Sequence, residues 1–178
     1  MIDKNGIGRL RVAIVGAGPA GSALAIMLAR EGAAVTLFDD GRRPELLVGE
    51  SLVPAVIPIL QRLDLEKETA SFSRVKPGVS FIWSGSERVS VTFNRFAPAV
   101  FPYAYNVPRP HFDDALLAKA IASGVDYVTG RAQLVPNTSA EAFVRYKDGN
   151  AITAFPSTGQ AVSSAAPCSQ SRRKSNAG

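Results

Sequence analysis

Apolar residues run without alternation over residues 10–15, a β-branched stretch that predicts a strand buried on both faces of a parallel sheet. Pro19 stands where a helix accepts proline, in its first turn. Good helix formers follow over 23–30, and Gly32 offers a C-cap. A second β-rich run covers 34–38. Together they predict a β-α-β unit with parallel strands and a right-handed crossover.

Past Asp40 the pattern loosens. Residues 41–48 read as a loop and 54–63 as an amphipathic helix interrupted by Pro58. Strands at 79–83 and 89–93 flank a Ser-Gly-Ser turn, which predicts a hairpin in a second sheet. A helix over 113–123 carries Leu116, Leu117, Ala120 and Ile121 on one face, ends at Gly124 and leads into a strand at 125–128. Another hairpin is expected from 142–146 and 151–155 around Lys-Asp-Gly-Asn. Periodicity stops after Phe155. Residues 156–178 are rich in Ser, Ala, Gln and Arg, hold no acidic residue, and read as a disordered tail.

Composition narrows the class. With 46% hydrophobic residues in 178, the chain can bury the core of one ordinary domain. Of the formal charge of +5, Arg172, Arg173 and Lys174 contribute three in the tail, so residues 1–150 carry no nucleic-acid footprint. The single cysteine, Cys168, permits neither a disulfide framework nor a cysteine metal site and suits a reducing, cytoplasmic setting. Neither a signal peptide nor a membrane-spanning run is expected.

Gly16, Gly18 and Gly21 form G-x-G-x-x-G between the first strand and the helix, the context that motif needs. The first glycine permits the tight turn and the second lets the backbone approach a pyrophosphate. The third lets helix and strand pack closely, and the phosphates sit at the helix N-terminus. Asp39, closing the second strand, lies where an acid accepts the hydroxyls of an adenosine ribose. The fold class expected is α/β with a Rossmann-type unit. Arg42 and Arg43 after that acid read either as solvated loop charges or as grips on a 2′-phosphate.

Three ordered stretches extend the picture: V-G-A-G-P-A-G-S-A-L-A from Val15, V-G-E-S-L-V-P-A from Val48 and R-P-H-F-D-D-A-L-L from Arg109. They resemble the flavoprotein group of flavin-dependent halogenases, geranylgeranyl reductases and aromatic hydroxylases. The resemblance implies a glutathione-reductase-like FAD domain, with Gly16, Gly18, Pro19, Ala20 and Gly21 on the ADP part of FAD. It further implies Gly49, Glu50 and Ser51 near the flavin and an arginine, Arg109, at the cofactor site. Phe112 reads equally as helix core or as part of the site, and His111 as a surface residue.

Within the group the chain is most similar to halogenases of pyrrole and phenol rings, through Val75-Lys76-Pro77-Gly78. A lysine there captures hypohalous acid made at the flavin, and Lys76 matches it; the residue reads alternatively as a solvated lysine before a Pro-Gly turn. Tryptophan-specific members carry their lysine on the following strand, where this chain has Ser80, which disfavours free tryptophan. The resemblance implies an aromatic substrate, free or tethered to a carrier protein, and a separate flavin reductase. A reductase or hydroxylase needing no such lysine is the alternative, as is an inactive fragment. The group's later Asp-x-x-Gly-Arg, Gly-Asp and W-x-W-x-I-P segments do not occur here. The organisation expected is therefore a C-terminally incomplete FAD domain over 1–155, an interleaved β-rich substrate region over 79–108, and 156–178 as a disordered or frameshifted tail. Read two nucleotides on, GC-rich codons for Phe155-Pro-Ser-Thr-Gly-Gln-Ala can encode Pro-Ile-Asp-Gly-Thr-Gly-Arg, which motivates the frameshift.

Overall fold

A computed structural model describes residues 10–43, 48–83, 85, 87–135, 141–146, 151–156 and 162–163. Strand β1 (Arg11–Val15), helix α1 (Pro19–Arg30) and strand β2 (Ala34–Asp39) build the β-α-β unit, with β1 and β2 parallel. Pro19 opens α1, and Gly32 leaves it at φ 91°, a left-handed conformation that costs glycine little. The chain between β2 and the next helix of this layer is the interleaved part.

A 3-10 turn (Pro54–Val56) runs into α2 (Ile57–Arg62), so Pro58 sits in the first turn of a helix and does not interrupt one. The fixed φ of proline suits that position, where its missing N–H has no intrahelical partner anyway. Helix α3 (Glu66–Phe72), which no periodicity announced, has Glu66 and Glu68 in its first turn, where the helix dipole favours acids. Strand β3 (Arg74–Lys76) leads to the hairpin of β4 (Gly78–Trp83) and β5 (Glu87–Thr92). Strand β6 (Ala104–Asn106) then pairs antiparallel with β3.

Helix α4 (Arg109–Ala122) begins four residues before the expected start, because Pro110 is accommodated in its first turn. It delivers β7 (Asp126–Thr129) parallel to the outer edge of β2. Strands β8 (Ala132–Val135), β9 (Glu141–Tyr146) and β10 (Ala151–Pro156) form an antiparallel sheet that includes the expected second hairpin, whose turn at 147–150 lies outside the described residues. Strand β11 (Val162–Ser163), inside the stretch read as a tail, pairs parallel with β1, giving the order β11-β1-β2-β7. The other residues of 157–178, and with them the frameshift expectation, lie outside the described residues.

One core joins these parts. Val12, Ile14 and Leu37 from the sheet meet Ile26 of α1, Leu60 of α2 and Leu116 of α4, each buried. The α/β architecture with a Rossmann unit is thus as expected. The β4–β5 hairpin keeps its own two-stranded sheet, with Phe81, Trp83 and Val89 alternating onto one face and largely exposed.

Candidate functional site

The glycine turn is tied down by its backbone. The Gly16 N–H donates to the Phe38 carbonyl at 2.7 Å, and Gly16 takes φ 103°. A Cβ on Gly21 would land on the Gly16 carbonyl oxygen, so helix and turn touch there. A Cβ on Gly18 would meet nothing among the described residues within 4 Å. The first clash is internal packing, whereas the space at Gly18 is open to a ligand. Among the described residues no side chain caps α1 at Gly18, which leaves the positive end of its dipole for an anion.

Asp39 closes this cradle from β2. It is buried, its Oδ1 accepts the Ala17 N–H at 3.4 Å, and its Oδ2 accepts from Arg43 at 2.9 Å. That hydrogen bond raises the Arg43 guanidinium above its ordinary range, against desolvation. Arg42 pairs with its neighbour Asp40 at 3.6 Å and is well exposed. A buried carboxylate suits a ribose with free hydroxyls and repels a 2′-phosphate. The donor set, an open glycine, an uncapped helix end and a buried acid, fits the ADP half of a dinucleotide.

A second cluster is assembled from distant segments. Residues 49–52 lie along β6: Ser51 bridges to Asn106, the Val107 N–H donates to the Glu50 carbonyl at 2.8 Å, and the Leu52 N–H donates to the Tyr105 carbonyl at 2.9 Å. Arg109 grips the start of this strip through the Val48 carbonyl, and its Nη1 lies 2.8 Å from where a Cβ on Gly49 would stand. Gly49 also holds φ 90°. Asp113, one helical turn on, accepts Nε and Nη2 of Arg109 at 3.1 and 3.2 Å. Lys76 reaches the strip from β3, its Nζ donating to Ser51 Oγ at 2.7 Å and to the Leu52 carbonyl at 3.0 Å.

The structure therefore places Gly49, against Arg109, and Ser51, against Lys76, on one strip, and groups Gly16, Gly18, Pro19, Ala20, Gly21 and Asp39 as a separate cradle. Glu50 contributes its carbonyl to the strip. Lys76 is half-buried, and its amine makes two hydrogen bonds to the strip. Phe112 is core, and His111 is exposed with its ring 6.0 Å from that of Phe72. Asp113, Asn106, the Leu52 carbonyl and Phe93, whose ring centroid is 5.6 Å from Lys76 Nζ, had not been singled out. Only Asp113 carried a signal, as the acid of Arg-x-x-Phe-Asp four residues after Arg109. Just before β6, Tyr103 donates to Glu66, which together with burial pushes its phenol up to about 12. Among the described residues no group of acids, histidines or cysteines is placed to hold a metal, and no helix is long and apolar enough to cross a membrane.

A parallel sheet with this cradle at the first strand-to-helix turn, interrupted by an antiparallel insertion, defines a dinucleotide-binding protein of the glutathione-reductase-like class. Residues 11–99 match the family model described as tryptophan halogenase, and the chain belongs to that family. It is 38% identical over 122 residues to the tryptophan 2-halogenase of Chondromyces crocatus, covering 67% of this chain and 22% of the relative. It is 35% identical over 121 residues to the 1H-pyrrole-2-carbonyl-[peptidyl-carrier protein] brominase of Pseudoalteromonas luteoviolacea, covering 67% of this chain and 28% of the relative. Among solved structures, the flavin-dependent halogenase CmlS superposes with a TM-score of 0.70 at 31% identity, over 84% of this chain and 28% of that one. The chain thus spans about a quarter of the length of these relatives.

Proposed function

We propose that this chain supplies the FAD-holding turn and the halogen-relaying lysine of a flavin-dependent halogenase acting on an electron-rich aromatic ring. The observation that carries the reading is the Lys76 amine, held against Ser51 of the Gly-Glu-Ser strip in a chain of this family. Gly18 and the α1 N-terminus hold the pyrophosphate of FAD, and Asp39 accepts the ribose hydroxyls. Bound in reduced form, FAD supplies hypohalous acid from oxygen and halide.

Lys76 captures that acid. Its ammonium N–H donates to the hypohalous oxygen and draws charge from the halogen, which makes the halogen a better electrophile for the ring. The ring carbon takes the halogen, its own proton leaves, and the hydroxide equivalent departs as water. Flavin is delivered reduced by a separate reductase. The ring is free or carried on a carrier protein, and relatives of both descriptions support either form. The tryptophan 2-halogenase keeps tryptophan among the candidates despite Ser80. The test is an assay with reduced FAD, oxygen, halide and a panel of indoles, pyrroles and phenols. Halogenated product that disappears in Lys76→Met while oxygen still reoxidises the flavin supports the reading. Undiminished product in that variant overturns the lysine relay, and hydroxylated or reduced product alone favours the hydroxylase or reductase alternative.

A further inference from the structure

The Lys76 amine is fixed by more of the chain than a relay alone requires. Lys76 and Ser51 are both referenced to β6, from its two edges: Lys76 pairs with Ala104 and Ser51 bridges to Asn106. Positions 104 and 106 point to the same face of the strand, so both side chains emerge on that face. The residue beside Lys76 is alanine, whose methyl leaves the face open for the lysyl chain to cross toward Ser51. An ammonium has three N–H groups. Two are committed, to Ser51 Oγ and the Leu52 carbonyl, and the Phe93 ring attracts the charge from a further side. Among the described residues one N–H then has no acceptor and remains for an outside one, in a direction set by the other two.

We propose that Ser51 is a positioning residue for Lys76, aiming its remaining N–H at the acceptor; this rests on the reading of Lys76 given above. The Leu52 carbonyl cannot set that direction alone, because one hydrogen bond leaves the amine free to rotate about it. Ser51 also ties the lysine to the strip that Arg109 and Asp113 hold in place, so movement of the strip moves the amine.

The experiment is competitive acetylation of the purified chain with a water-soluble N-hydroxysuccinimide ester, mapping Lys76 against the exposed Lys67 by peptide mass spectrometry. In the parent chain the ratio of Lys76 to Lys67 labelling should be low. Ser51→Ala should raise it by about tenfold, the loss of one charge-assisted hydrogen bond, and Ser51→Thr, which keeps the hydroxyl, should restore it. Ser51 is exposed, so the variant is expected to fold; a circular dichroism spectrum matching the parent checks this. An unchanged ratio in Ser51→Ala, or a Thr variant that behaves as Ala, overturns the proposal. Because the readout is the amine and not halogenation, failure of Lys76→Met to abolish product would overturn the relay while leaving this result separately measured.

Discussion

The cradle at Gly16–Asp39 and the cluster around Lys76 are built on different principles. The cradle is local: twenty-four consecutive residues supply strand, turn, helix and acid, and its shape comes from backbone conformation and from where side chains are absent. The Lys76 cluster is assembled from three segments, 48–52, 74–76 and 104–113, and its shape comes from side chains reaching carbonyls across strand β6. A local site is robust to substitution unless a Cβ is added at a contact. An assembled site depends on each cross-link, and loosening one displaces the rest.

The largest effect should come from breaking the cradle at its internal contact. Gly21→Val puts a side chain onto the Gly16 carbonyl, between rigid backbone elements, and is expected to destabilise the fold by about 3 kcal/mol. Denaturant unfolding followed by circular dichroism measures this; a midpoint equal to the parent's would contradict the packing. Next comes the assembled site's clamp. Asp113→Ala strands Arg109, whose side chain is only 16% exposed. Full burial would make that worth about 3–5 kcal/mol, and partial solvent access brings it to about 2 kcal/mol. The same variant should loosen residues 48–52 and raise their hydrogen exchange while leaving the amides of β1 and β2 protected, a split that a globally weakened fold would not show.

The smallest effect is a pH dependence. The hydrogen bond to Glu66, burial and that carboxylate's charge raise the Tyr103 phenol from 10.0 to about 12 in the folded chain. Folding favours the protonated phenol. Its contribution is therefore complete below pH 10 and lost as pH rises through about 12. Solvent screening limits it to about 1 kcal/mol or less. In Tyr103→Phe the decline in stability across that interval should be correspondingly shallower, and an ultraviolet phenolate titration should lose a tyrosine that ionises at about 12. A parallel decline in both proteins would show that Tyr103 does not sense Glu66.

What the sequence disclosed follows the same division. The β-α-β unit and the places of its three glycines and of Asp39 within it were legible because each rests on short-range spacing and a backbone rule. The hairpin of β4 and β5 and helix α4 were legible by their periods, although Pro110 shifted the start of α4. Strands β3 and β6 are three residues each, too short for any alternation to register, and β11 has two. Helix α3 mixes polar residues on most of its faces, and a seven-residue helix gives its period little room. In the second cluster, resemblance pointed to Gly49, Glu50, Ser51, Lys76 and Arg109, but not to the contacts among them. Ser51 and Lys76 are 25 residues apart, and only pairing to a common strand brings them together. Asp113 was visible as a motif residue, yet its function is conferred by the fork of Arg109.

In the function proposed above, a dinucleotide's pyrophosphate approaches the backbone at the open space beside Gly18. Titrating FAD into the purified chain and its Gly18→Ala variant by calorimetry, with a thermal melt of each, tests it most directly. Gly18 has φ −68° and ψ −179°, which alanine adopts without strain, and its added methyl meets no atom of the described residues within 4 Å. Melting within about 0.5 kcal/mol of the parent and FAD affinity weakened by at least about tenfold are expected. A variant that melts like the parent and binds FAD equally well would contradict it.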